Sequence, residues 1–171
     1  YELALDRFIA ADEVPNWPAS AGKEMLYVLM GNTASRLAST TLDNAYVDEA
    51  LDYFDQALEI NPENVRALVG QASAIYQLAL GNLQTREGSQ VDLDLLDEAE
   101  ALYRQAAAMP APEAAEMALK THFGLGQIFL VRHYLQVEGG NWLTQARTEF
   151  QSMVDSYLAS GARNRDLVGH A

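Results

Sequence analysis

Cysteine is absent from the 171 residues. Disulfides, thiolate catalysis and cysteine-held metals are therefore excluded, while the compartment stays open. Cations are scarce, with 11 Lys and Arg against 24 Asp and Glu and a net charge of −13. The sequence pI lies near 4.4. Such a surface suits neither nucleic acid nor anionic membrane, both of which need basic patches. No apolar run reaches the length of a membrane span, and the longest lies near Phe123–Val131. No signal peptide is visible. Strand-like alternation never lasts more than a few residues, so essentially no sheet is expected. The five prolines all fall between helical patterns, at 15, 18, 62, 110 and 112, where they stop helices.

What the chain does have is a repeated stripe. Within residues 46–62, Ala50, Phe54 and Ala57 stand at i, i+4 and i+7, on one side of a helix. The stripe runs small, large, small: the alanines admit a neighbouring helix closely and the ring fills the gap. Asp48, Glu49, Asp52, Asp55 and Glu59 take the other faces. The pattern recurs at Ala4, Phe8 and Ala11, at Ala99, Tyr103 and Ala106, and at Ala146, Phe150 and Met153. From Ala4 to Ala50, Ala99 and Ala146 the steps are 46, 49 and 47 residues, which marks an internal repeat.

Ala50-x3-Phe54-x2-Ala57-Leu-Glu-Ile-Asn-Pro62 resembles the second helix of a tetratricopeptide (TPR) repeat. Glu63-Asn-Val-Arg-Ala-Leu68-x3-Ala72-x2-Ile75 resembles the first helix of the next repeat. In register, the resemblance extends over nearly the whole chain. The family period is about 34 residues; this one is longer by roughly 12–15, so extra length must sit in helices or loops. The resemblance implies an all-α fold, a right-handed superhelical array of antiparallel helix pairs.

The chain divides accordingly. Residues 1–12 are the second helix of a truncated repeat, 21–62, 63–110 and 112–159 are full repeats, and 164–171 begin another. A chain that starts at Tyr1 inside one helical pattern and ends at Ala171 inside another is expected to be a piece of a longer protein. Helices are predicted at 21–39, with Tyr27, Met30, Gly31 and Ala34 inward, and at 46–60 and 64–80, with Leu68, Ala72 and Ile75 inward. Further helices are predicted at 93–109, 113–136, with Leu125, Gly126 and Phe129 inward, and 142–159. Residues 13–20, 40–45 and 137–141 are expected as connectors, 81–92 as a loop, and Gly161 as a helix breaker.

Motifs for chemistry are few. His122 and His133 lie eleven residues apart, about 16 Å along a helix, too far to share a metal; both are read as structural. Asp92-x-Asp94-x2-Asp97 lacks the glycine and the twelfth-position glutamate of a calcium loop, and reads as an acidic first helical turn. Gly124-x-Gly126 follows no strand, so it reads as helix packing rather than a dinucleotide motif. No nucleophile elbow or phosphate loop occurs. No catalytic residue, metal or cofactor is assigned, and the chain is not expected to be an enzyme.

The resemblance implies a scaffold that binds a peptide or helix of a protein partner on a concave face lined by the first helix of each pair. Its register places Val28, Asn32 and Arg36 there, then Arg66, Val69, Ser73, Tyr76 and Gln77, then Lys120, Phe123, Gln127, Leu130 and Tyr134. That set holds three bases and no acid. Arg36 and Arg66 are expected to take partner carboxylates, with Tyr76, Phe123 and Tyr134 as anchor surface. Members of the family that clamp chaperone C-termini use Lys and Asn. Here Asn32 and Arg36 match, but Ser73 and Gln127 replace Asn, and Val69 and Phe123 replace Lys. The alternative is a regulatory or ligand-binding segment of a larger enzyme, with a pocket at residues 81–92. Contacts through exposed terminal helices are also expected.

Overall fold

The repeated stripe sorts the chain into helices. The structure, a computed structural model, describes residues 1–13, 22–81, 91–110 and 112–164. Seven α-helices account for most of them: α1 (Glu2–Asp12), α2 (Lys23–Thr41), α3 (Ala45–Ile60), α4 (Val65–Gly81), α5 (Leu93–Ala108), α6 (Glu113–Tyr134) and α7 (Trp142–Asn164). No strand occurs among the described residues. Each helix packs on the next, most extensively in the pairs α2/α3, α4/α5 and α6/α7. Two further contacts, α2 with α4 and α4 with α6, join the pairs.

Local chemistry sets the boundaries. Pro62 lies two residues beyond α3, where its ring and missing N–H bar continuation. The Asn64 side chain then accepts from the Ala67 N–H at 3.0 Å and satisfies a free donor at the start of α4. Asp92 does the same for α5, accepting from Asp94 and Leu95, so the acidic cluster there is a helix start. The α2/α3 connector is shorter than the sequence suggests, since α2 runs to Thr41 and Leu42 turns the chain at φ 60.

The stripes of α3 and α5 are core, while those of α1 and α7 are only partly buried apart from Ala146. Ala50, Phe54, Ala57, Ala99 and Ala106 have no exposed surface. Tyr27, Met30, Ala34, Leu68, Ala72, Ile75, Leu125 and Phe129 are buried as the helical spacing requires. Two clusters divide the interior. One joins α1, α2 and α3 to Ala67 and Ala74 of α4. The other takes Val65, Leu68, Ala72 and Ile75 from α4 and runs through α5 and α6 to Ala146 of α7.

Small residues shape sockets for the aromatic rings. A Cβ built on Gly31 would lie 2.7 Å from the Phe54 ring, and one on Gly70 only 2.4 Å from it. Phe54 of α3 is thus held between α2 and α4. Gly124 of α6 receives Tyr103 in the same manner, at 2.2 Å, and Gly126 receives Phe150, at 2.6 Å. The Gly124-x-Gly126 motif is therefore two adjacent sockets.

One charged residue is drawn inside. Arg132 of α6 is buried and bonds Asp97 and Glu100 of α5. Its guanidinium lies 4.9 Å from the Trp142 ring centroid and 5.9 Å from that of Phe129.

Gly161 does not break α7, which continues to Asn164. An interior glycine costs only about 1 kcal/mol against alanine, and no proline follows to enforce a stop. Asn164 accordingly ends a helix instead of opening one, and 165–171 lie outside the described residues. So do 14–21 and 82–90, which hold most of the expected 13–20 turn and 81–92 loop. Of that loop, Gly81 closes α4, while Val91 is buried and the Asp92 N–H bonds the Ala79 carbonyl at 3.2 Å.

Gly70→Ala is expected to cost about 1–3 kcal/mol, because the added methyl overpacks the Phe54 socket. Urea unfolding measures the loss, and it should shrink when Phe54→Leu is combined with it. Arg132→Met is expected to cost roughly 3 kcal/mol, the low end for a broken buried ion pair, since Glu100 keeps Arg104 at 2.6 Å. Thermal and chemical denaturation should agree on that value.

Candidate interaction face

Because α2, α4 and α6 touch in sequence, residues from three pairs come to lie on one surface. A crevice of about 200 Å³ opens there, lined by Asn32 and Ser35 of α2, Arg66, Val69 and Ser73 of α4, and Glu116 and Lys120 of α6, among others. Five of the residues assigned from sequence, Asn32, Arg66, Val69, Ser73 and Lys120, meet in it. Val69 is a core residue, as is Val28, so Val69 supplies the apolar floor.

The polar lining is partly engaged. The Asn32 amide donates to the Val28 carbonyl at 2.8 Å, which leaves its own oxygen available. The Ser73 hydroxyl is 2.8 Å from the Tyr103 hydroxyl. Ser35 Oγ has no protein hydrogen-bond partner among the described residues.

Glu116 was absent from the face read out of the sequence, and it changes the electrostatics. Arg66 donates to both its carboxylate oxygens, at 2.7 and 2.6 Å. The face thus contains an acid, and Arg66 already holds a carboxylate. Both side chains are substantially exposed, so the pair contributes little to stability and can open. It forms a wall between the crevice and a neighbouring cavity of about 430 Å³, lined by Glu24, Met25, Asn64, Met109 and Pro110, among others. The signal that could have located Glu116 is its place one helical turn before Lys120.

The other sequence-assigned residues lie outside the crevice. Arg36 lies 6.0 Å from the Tyr1 ring centroid, toward α1. Gln77 lines a separate cavity of about 270 Å³ with Ser39, Asn44 and Val47. Tyr76 and Gln127 are half-buried. Phe123 is turned toward α7, its ring 6.3 Å from that of Phe150. Leu130 lines an apolar cavity against α7, and Tyr134, the last residue of α6, is 88% exposed. The expected aromatic anchor is therefore not gathered in the crevice.

Elsewhere the polar groups tie helices together. His122 Nδ1 lies 2.7 Å from Glu149 of α7. Lys23 and Tyr27 both bond Asp12, at 2.9 and 3.3 Å. The Asp12 and Tyr27 bonds raise the Lys23 pKa. Among the described residues, no group of three His, Asp or Glu side chains could hold a metal ion. No helix among them is long and apolar enough to cross a membrane.

Three tyrosines resist ionisation. Burial, helped by the Glu49 hydrogen bond, pushes Tyr53 up to about 12. Burial also raises Tyr76 and, against the opposing hydrogen bond from Ser73, Tyr103. Folding favours the protonated phenol in each case. The resulting stability is complete below the ordinary value of 10.0 and is lost as pH rises through the raised value, about 12 for Tyr53. An ultraviolet phenolate titration should show three of the eight tyrosines ionising late, together with unfolding.

No family model, no curated protein and no solved structure matches the chain.

Proposed function

We propose that the chain is a non-catalytic protein-interaction scaffold, built as a TPR-like superhelical array of antiparallel helix pairs. A peptide or helix of a partner lies along the face formed by α2, α4 and α6. The observation that carries this reading is the crevice, to which all three alternate helices contribute side chains. A surface shared by successive pairs suits an elongated ligand better than a compact one. The small-large-small stripe at a nearly constant period is what carries the family resemblance. The unpartnered Ser35 hydroxyl, the free Asn32 oxygen and the exposed Lys120 supply polar contacts, and Val69 and Met117 supply the apolar ones. A partner carboxylate reaches Arg66 by displacing Glu116, which then lies one turn from Lys120 on its own helix.

The test separates binding from folding. Peptides selected on the wild-type chain are measured against Arg66→Glu and against the swap Arg66→Glu with Glu116→Arg. Both variants should lose more than tenfold in affinity, about 1.4 kcal/mol, and the swap should keep the wild-type melting temperature. Binding that survives the swap combined with Arg36→Glu would move the partner off this face.

A further inference from the structure

The ion pairs that join helices differ in how firmly they are held. The Arg132 side chain is 6% exposed and bonds two carboxylates. Asp12 has both Lys23 and Tyr27. His122 and Glu149 are both half-buried. Among the described residues, only the pair of Arg66 in α4 and Glu116 in α6 has both side chains well exposed, at 40% and 58%. Water screens such a pair, so closing it adds little stability and opening it costs little. Its geometry is nonetheless close. Arg66 Nη2 donates to both Glu116 oxygens, at 2.7 and 2.6 Å. The other terminal nitrogen, Nη1, lies 3.7 Å from Met25 Sδ of α2. The guanidinium is steered from the α2 side, while its carboxylate comes from α6.

The place of the pair matters as much as its exposure. Arg66 and Glu116 both line the crevice of about 200 Å³ and also the neighbouring cavity of about 430 Å³. Closed, the pair divides the two; open, it leaves one trough. Lys120, one turn beyond Glu116 on α6, lines the crevice and forms no ion pair among the described residues. Glu116 therefore has two cations within reach, Arg66 across the gap between helices and Lys120 along its own helix. A ligand carboxylate that takes Arg66 releases Glu116 to Lys120. Each carboxylate then has a cation, and no charge is stranded.

We propose that Glu116 is a built-in competitor for the carboxylate site at Arg66. It occupies the guanidinium in the free chain and yields, by moving to Lys120, to a partner segment that brings an aspartate or glutamate. The inference rests on the interaction face proposed above and adds the group that regulates it. The device works by mass action: apparent affinity is the intrinsic affinity reduced by the fraction of molecules in which the pair is open. It acts on acidic segments alone, because a segment that makes no use of Arg66 has nothing to displace.

A random peptide library is selected on the Glu116→Gln chain, whose exposed substitution should leave the melting temperature unchanged. The recovered peptides should be enriched in aspartate or glutamate. In fluorescence anisotropy they should bind Glu116→Gln roughly tenfold more tightly than the wild-type chain. Replacing the acid of the peptide by its amide should erase that difference. Lys120→Met should weaken the acidic peptides more in the wild-type chain than in Glu116→Gln, where no glutamate needs a second cation. Equal affinity for the two chains, with binding still lost in Arg66→Glu, would overturn the competitor and leave the face standing. Binding that withstands Arg66→Glu in both backgrounds would overturn the face and the competitor together. A selection on Glu116→Gln that returns no enrichment in acids would also overturn the competitor.

Discussion

The fit of an aromatic ring into a notch of missing side chains governs this structure. Phe54 touches α2 and α4 at once because Gly31 and Gly70 have no Cβ to exclude it. One side chain therefore fixes the spacing within a pair and between pairs. The surrounding alanines contribute little transfer energy individually, but they let backbones approach until the ring fills the space. Dispersion at that density is sensitive to fractions of an ångström. Tyr103 and Phe150 repeat the arrangement with Gly124 and Gly126.

The acidic excess is organised around this apolar scaffold. Most acids lie on exposed faces and in turns, where hydration is retained. Three half-buried acids have cationic or phenolic partners: Asp12 with Lys23 and Tyr27, Glu100 with Arg132 and Arg104, and Glu149 with His122. Each joins two helices, apart from the Glu100–Arg104 pair within α5. Arg132 lies over the rings of Phe129 and Trp142 while bonding two carboxylates, a combination that suits a guanidinium better than the ammonium of lysine.

The helices and their buried stripes were legible because helical spacing is local. Ala50, Phe54 and Ala57 announce one side of a helix without reference to anything distant, and all three are fully buried. Part of the candidate face was legible: Asn32, Arg66, Val69, Ser73 and Lys120, far apart in the chain, line one crevice. Arg66–Glu116 was not legible, because fifty residues separate its partners and no periodicity links them. Nothing local distinguishes Arg132 from any basic residue in a last helical turn, because its carboxylates come from α5. The persistence of α7 past Gly161 reflects a weak local preference outweighed by the rest of the helix.

The division of α4 between the two cores bears on how the chain folds and opens. Ala67 and Ala74 belong to one core, and Val65, Leu68, Ala72 and Ile75 to the other. Arrays of repeats commonly fray from their ends as a chain of weakly coupled units. Here the middle unit cannot be released without exposing both interiors, so opening of either half is energetically coupled to the other. The slowest amide exchange therefore belongs in α4, with protection decreasing toward α1 and α7. Because the most extensive packing joins helices adjacent in the chain, this central seed forms largely from short-range contacts and assembly can proceed quickly in both directions.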